Sequence, residues 1–221
     1  MKFRRKSDAP VDPTEDTDAE TRAQDADESA PTESVTDGTG PFDAADVDLE
    51  DGSRVDLGSL LIAPTQGREV RVQIDEVTKA VQAVMVAGPD GALELRAFAA
   101  PRNGDLWTDV RQQITADIEG KGGTVEERSG RFGPELVCER PVKLPDGTSV
   151  IQPSRVIGVN GPRWFLRATL MGGPARSAEA GASWEDMLTR VVVRRGAEAM
   201  PVADPLPITL PTEARRLPDG S

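Results

Sequence analysis

The sequence places Gly-Pro-Asp-Gly at 88–91, Pro-Asp-Gly at 145–147 and Asn-Gly at 160–161, each between stretches of alternating apolar and polar residues. Such turns reverse the backbone within a few residues, so the segments on either side must pair antiparallel. A parallel sheet needs crossovers of about a dozen residues or more, and no regular strand–helix alternation supplies them. In "REVRVQID", Val70, Val72 and Ile74 point one way and Arg71 and Gln73 the other, the pattern of a half-buried strand. Residues 80–87 and 92–100 form a hairpin about Gly-Pro-Asp-Gly. Pro89 suits the first corner, and Gly91 can take positive φ. Further strands are expected at 124–129, 134–142, 150–158 and 163–171, with a short apolar one at Leu60–Ile62.

Two segments switch to helical spacing. Leu106, Trp107, Val110, Ile114 and Ile118 recur on one face behind Asp105, a good N-cap, and Gly120, Gly122 and Gly123 end the run. In "SWEDMLTRVVVRRG", Ser183 and Asp186 form a capping pair, Trp184, Leu188, Val191 and Val192 make an apolar face, and Gly196 stops the helix. The expected fold is α+β: an antiparallel sheet of about six to seven strands with one face packed on the two helices. "MPVADPLPITLP" alternates apolar residues with prolines, so it should run extended along the surface.

Charge divides the chain. Net charge is −12 overall, yet residues 7–51 hold sixteen acids and one base, whereas 52–221 hold 22 acids and 21 bases. The acidity belongs to the N-terminal stretch and the remainder is nearly neutral. Residues 1–52 read as a disordered acidic tail, too poor in apolar surface to offset chain entropy. Residues 53–200 read as the globular domain and 201–221 as the extended Pro-rich segment. "FDAADVDLEDG" (42–52) reads as a solvated spacer in preference to a segment docked on the core. A single cysteine, no apolar leader and no run of 18 apolar residues point to the cytoplasm, with no membrane segment.

Histidine and tyrosine are absent. That excludes histidine-based triads, dyads, general bases and metal sites. With no histidine to activate it, Cys138 reads as a buried inert thiol. The Gly/Ala/Ser stretch 170–183 reads as a plain loop, because it lacks the spacing of a phosphate loop. Adjacent carboxylates such as Glu126 and Glu127 point to opposite faces of a strand. No catalytic residue, cofactor or metal is assigned, and the balance leans against an enzyme.

The stretch that holds attention is "GPRWFLRATLM" (161–171). Trp164, Leu166, Ala168 and Leu170 form a core face. Arg163, Phe165, Arg167, Thr169 and Met171 take the other. Arginine beside an aromatic ring can grip an anion or stack on a base. It can equally lie over its own sheet and pair with a neighbouring Glu. The scaffold reading is preferred, but Arg155, Arg163, Phe165 and Arg167 are the candidates for a ligand or partner surface.

"GPRWFLRATLMG", the preceding "LPDGTSVIQPSRVIGVNG" and the "LWTDVRQQI" helix resemble an actinobacterial family of conserved cytoplasmic proteins, the domain-of-unknown-function family 3710. The resemblance covers about residues 50–210 and implies no established activity and no catalytic residues. The order hairpin, helix, antiparallel strands, C-terminal helix is also similar to the Mog1/PsbP-like α+β fold, a resemblance that implies binding and assembly roles. The reading reached is a non-catalytic binding or adaptor module, with an unknown protein as partner. Its Arg/aromatic sheet face makes the contact, and the acidic tail tunes solubility or competes for that face. The alternative is a nucleotide- or nucleic-acid-related protein, enzyme or binder, with an anion site near Arg155, Arg163 and Arg167.

Overall fold

A computed structural model describes residues 40–49, 52–75, 77–78, 80–102 and 104–210. The disordered tail expected over residues 1–52 therefore lies largely outside the described residues. Three short strands come first: β1 (Phe42–Asp43), β2 (Val55–Asp56) and β3 (Leu60–Ile62). They are followed by β4 (Glu69–Ile74), β5 (Val81–Ala87), β6 (Gly91–Ala99), helix α1 (Leu106–Gly120) and β7 (Thr124–Gly130). Then come β8 (Gly133–Lys143), β9 (Ser149–Gly161), β10 (Trp164–Gly172), a 3-10 turn (Gly173–Ala175), helix α2 (Ala178–Leu188) and β11 (Val192–Val193).

Seven of these strands form one antiparallel sheet in the order β4-β5-β6-β10-β9-β8-β7. This is the α+β class the turn signatures require. The central pair β6/β10 is in register over nine residues, with Phe165 opposite Phe98 and Arg167 opposite Arg96. A second, small sheet has the order β1-β11-β3-β2.

The two helices lie on opposite faces of the large sheet, which corrects the expectation that one face carries both. Leu166, Ala168 and Leu170 share a buried cluster with Trp184, Met187 and Leu188 of α2 and with Leu60, Ile62 and Val193 of the small sheet. Phe165, on the reverse face, is buried with Trp107 and Ile118 of α1 and with Leu136 and Cys138. A central strand apolar on both faces must be covered on both. The two arginines flanking Phe165 made its face look solvated in the sequence.

The second helix is also displaced from its expected position. Ser177, not Ser183, is its N-cap, accepting from the Ala180 N–H at 3.1 Å. The stretch expected to be a loop contributes the first half of the helix. Gly181 disguised it, since glycine normally weakens a helix. A Cβ at that position would lie 2.5 Å from Arg155 Nη1 and 3.1 Å from the Pro174 carbonyl oxygen, so a side chain there would push on the buried Arg155. At the far end the β-branched run 191–193 leaves the helix, and Val192 pairs with Leu61 on one side and Phe42 on the other.

Phe42 and Asp43 are strand, not spacer. β1 pairs parallel with β11, the Phe42 N–H donates to the Val191 oxygen at 2.9 Å, and Asp43 Oδ2 accepts from Trp164 Nε1 at 2.7 Å. Gly91 does not adopt positive φ. It is required instead because a side chain there would strike Met171 and Pro174 across the β6/β10 pair. Of the Pro-rich segment expected over 201–221, residues 211–221 lie outside the described residues, and a turn falls at Val202–Ala203. Pro205 bridges to Phe98, Ile208 bridges to Gly58, and Leu206 is buried in the core.

Candidate ligand groove

Helix α1 is fixed to the sheet at its first turn. Asp105 accepts from the Thr108 N–H at 3.1 Å. Asn160, on β9, accepts from the N–H groups of Leu106 and Trp107 at 3.1 and 3.3 Å and donates to Asp105 at 2.7 Å. Trp107 Nε1 donates to the Pro134 oxygen at 2.7 Å. The Trp107 ring lies flat on Gly158, where any side chain would collide with it. Asn160, which reads as a turn residue, is thus a helix anchor. Gly161 makes room for the Trp164 ring, and the reversal itself falls on Pro162 and Arg163. Burial pulls the Asp105 pKa upward, but the hydrogen bonds from Thr108, Asn160 and Trp107 outweigh it, so the net shift is downward.

Pinned there, α1 covers Phe165 but leaves a trough between itself and the rest of the face. The trough has a volume of about 480 Å³. Phe98, Arg167, Thr169 and Glu94 line its sheet side, Leu106, Val110 and Ile114 its helix side, and Arg140, Asp117, Gln152 and Ser154 also border it.

The four residues expected to share one face do not. Phe165 is fully buried, stacked between Phe98 and Trp107 with ring centroids 6.0 and 5.9 Å away. Arg163 sits at the β9–β10 turn with φ 61° and donates from Nη2 to the Gly196 oxygen at 3.1 Å. Arg155 is on the opposite face, its side chain 2% exposed. Its Nη2 meets Glu135 at 2.8 Å and Glu185 of α2 at 2.6 Å. Burial depresses the Arg155 pKa, but the two carboxylates outweigh it and the net shift is upward.

Only Arg167 reaches the groove. Its side chain is 22% exposed, and its guanidinium lies 5.8 Å from the Phe98 ring centroid and meets Glu94 Oε1 at 3.4 Å. Its buried Nε has no partner. Burial pulls the Arg167 pKa down, and the Glu94 charge does not restore it. This is a desolvated cation that is only loosely paired. Sequence reading missed Glu94 and Phe98, which come from the strand hydrogen-bonded to β10. A fixed β6/β10 register was the one signal that could have added them.

Cys138 is buried beside Leu136, and burial pushes its thiol up to about 11, with a Ser154 hydrogen bond acting in the opposite direction. It is no nucleophile at neutral pH. Among the described residues no group of three or more His, Cys, Asp or Glu side chains could hold a metal ion, and no helix is long and apolar enough to cross a membrane.

The family described as "Protein of unknown function (DUF3710)" matches residues 40–216. The chain belongs to this family. The match begins two residues before β1, so the DUF3710 region includes the docked strand as well as the groove. No curated protein matches the chain. Among solved structures the chain is similar to PsbP from the cyanobacterium Synechocystis sp. PCC 6803, at 12% identity and a TM-score of 0.37, over 63% of this chain and 91% of that one. It is also similar to a protein of Bacteroides thetaiotaomicron VPI-5482, at 13% identity and a TM-score of 0.36, over 65% of this chain and 48% of that one.

Proposed function

We propose that this DUF3710 protein is a non-catalytic binding module of the cytoplasm and that the groove between α1 and the large sheet is where it binds. The observation that carries the reading is Arg167, a largely buried cation with one long contact, set on the floor of a cleft of about 480 Å³. Ligand sites are typically concave, mostly apolar and equipped with a few convergent polar groups, within about 300–1,000 Å³. The groove falls in that range of volume and sets the apolar side chains of α1 opposite Arg167. It lacks a nucleophile–base pair, and the nearby thiol is held protonated, which favours binding over covalent chemistry. The nucleotide alternative gains little here. Arg140 and Arg167 face Glu94 and Asp117, so the formal charge of the lining is balanced, and a polyphosphate finds no excess of cations.

The test is amide chemical-shift mapping on the full chain with a mixed panel of small amphipathic acids, amides and alcohols. The expected result is shifts confined to the groove, at Phe98, Leu106, Ile114 and Thr169, that vanish when Thr169→Trp fills it. A panel that leaves those amides unmoved would overturn the proposal.

A further inference from the structure

We infer that the groove takes a small apolar monocarboxylate, whose carboxylate occupies Arg167 in place of Glu94. This rests on the groove being the binding site and adds the class of ligand. The first argument is geometric. A guanidinium–carboxylate pair at full strength has N···O distances of about 2.7–2.9 Å and often uses two parallel bonds. Arg155 meets its two carboxylates at 2.8 and 2.6 Å. Arg167 meets only Glu94, at 3.4 Å; both arginines use Nη2 alone and leave Nε without a partner, so the difference lies in the number and length of the carboxylate contacts. Arg167 therefore carries the desolvation cost of a buried cation without the bonds that normally offset it.

The second argument is charge. Glu94, itself 21% exposed, is a carboxylate already resting loosely on the site. A free carboxylate is the chemical group closest to it, and the planar guanidinium fork matches such a group in both shape and sign. Displacing Glu94 toward solvent leaves one anion on one cation. With Glu94 displaced, Arg140 and Arg167 face Asp117 alone, so a monocarboxylate restores the balance of the lining, whereas a dianionic phosphate leaves one negative charge in excess.

The third argument is the rest of the surface. Leu106, Val110 and Ile114 form an apolar wall opposite the Arg167 head site, and Phe98 extends apolar surface beside the guanidinium. A hydrocarbon chain or an aryl ring fits such a wall.

The experiment is calorimetric titration of the full chain with octanoate, octanamide, 1-octanol and inorganic phosphate, with amide shifts locating each site. Octanoate is expected to bind at the groove, and octanamide roughly tenfold to a hundredfold more weakly, the loss typical of a charge-assisted hydrogen bond. Arg167→Met should abolish the preference for octanoate. Arg167→Lys, which keeps the charge but not the fork, should retain only part of it. Glu94→Gln should tighten octanoate binding several-fold by removing the internal competitor, a gain that misfolding cannot produce. Equal binding of octanoate and octanol in the groove would overturn the carboxylate inference and leave the groove standing as a site. Phosphate bound at Arg167 more tightly than octanoate would overturn the class of ligand. No groove shift with any of the four would overturn the inference and the site together.

Discussion

Arg155 and Arg167 stand on adjacent strands of one sheet and face opposite ways. On the α2 face, Arg155 is sealed under the helix between Glu135 and Glu185, and Arg128 adds a further contact to Glu135 at 2.6 Å. On the α1 face, Arg167 lies beside a helix that stops short of covering it. The same residue type is architecture in one place and an unfinished contact in the other. What separates them is the number and length of the carboxylate contacts, because either burial alone would lower the pKa of an arginine.

Four perturbations break or sharpen this contrast. The largest effect is expected for Arg155→Ala, which leaves Glu185 buried without a cation and Glu135 with Arg128 alone. It should destabilise the fold by about 3–5 kcal/mol in urea unfolding, whereas Arg167→Met, with only one long contact to lose, should cost well under half of that. Equal losses for the two would erase the distinction between the faces. Next is Gly158→Ala. The added methyl group meets the Trp107 ring, so overpacking of about 1–3 kcal/mol is expected, together with a red shift of tryptophan emission as α1 lifts away from the sheet. An unchanged spectrum would show that α1 is not seated there.

Asp105→Ala removes the N-cap of α1 and should cost about 1 kcal/mol. The pH dependence follows from the sign of the shift. The folded-state pKa of Asp105 is below its ordinary value, so its stabilising contribution is present above about pH 4, the unfolded value, and is lost as pH falls through the folded value. The difference in stability between the wild type and Asp105→Ala should therefore shrink on acidification, and a constant difference from pH 6 to pH 3 would contradict the capping role. The smallest effect is a gain. Ala203 borders the groove and holds φ 68°, a region where a Cβ costs about 1 kcal/mol. Ala203→Gly should raise the midpoint of thermal unfolding by a few degrees at most, since the added chain entropy of glycine offsets part of the relief.

Much of the fold was legible because turn chemistry and alternation are local. Gly-Pro-Asp-Gly and Pro-Asp-Gly stand where hairpins turn, and the alternation across residues 164–171 correctly separates Leu166 from Phe165. The errors come from residues whose reason is a distant partner. Gly181 reads as a loop until Arg155 is placed beside it, and Asn160 reads as a turn until α1 is placed over it. The candidate site was half legible. Arg167, chosen as a cation beside an aromatic, is the one of the four candidates that borders the proposed groove. But the aromatic that lies beside it in the groove is Phe98, on another strand, and not Phe165, its neighbour in sequence. Burial of Arg155 could not be read from its sequence neighbourhood, since Glu135 and Glu185 are 20 and 30 residues away.

The short strand at Phe42–Asp43 has a practical consequence for anyone who trims this gene. A chain begun at residue 53, where charge and hydropathy both invite the cut, would lack the only described acceptor of the Trp164 indole N–H and the partner that covers the outer edge of β11. It would carry an orphaned donor beneath the core and an open strand ready to recruit another copy. A shortened protein begun at or before Gly40 keeps both contacts.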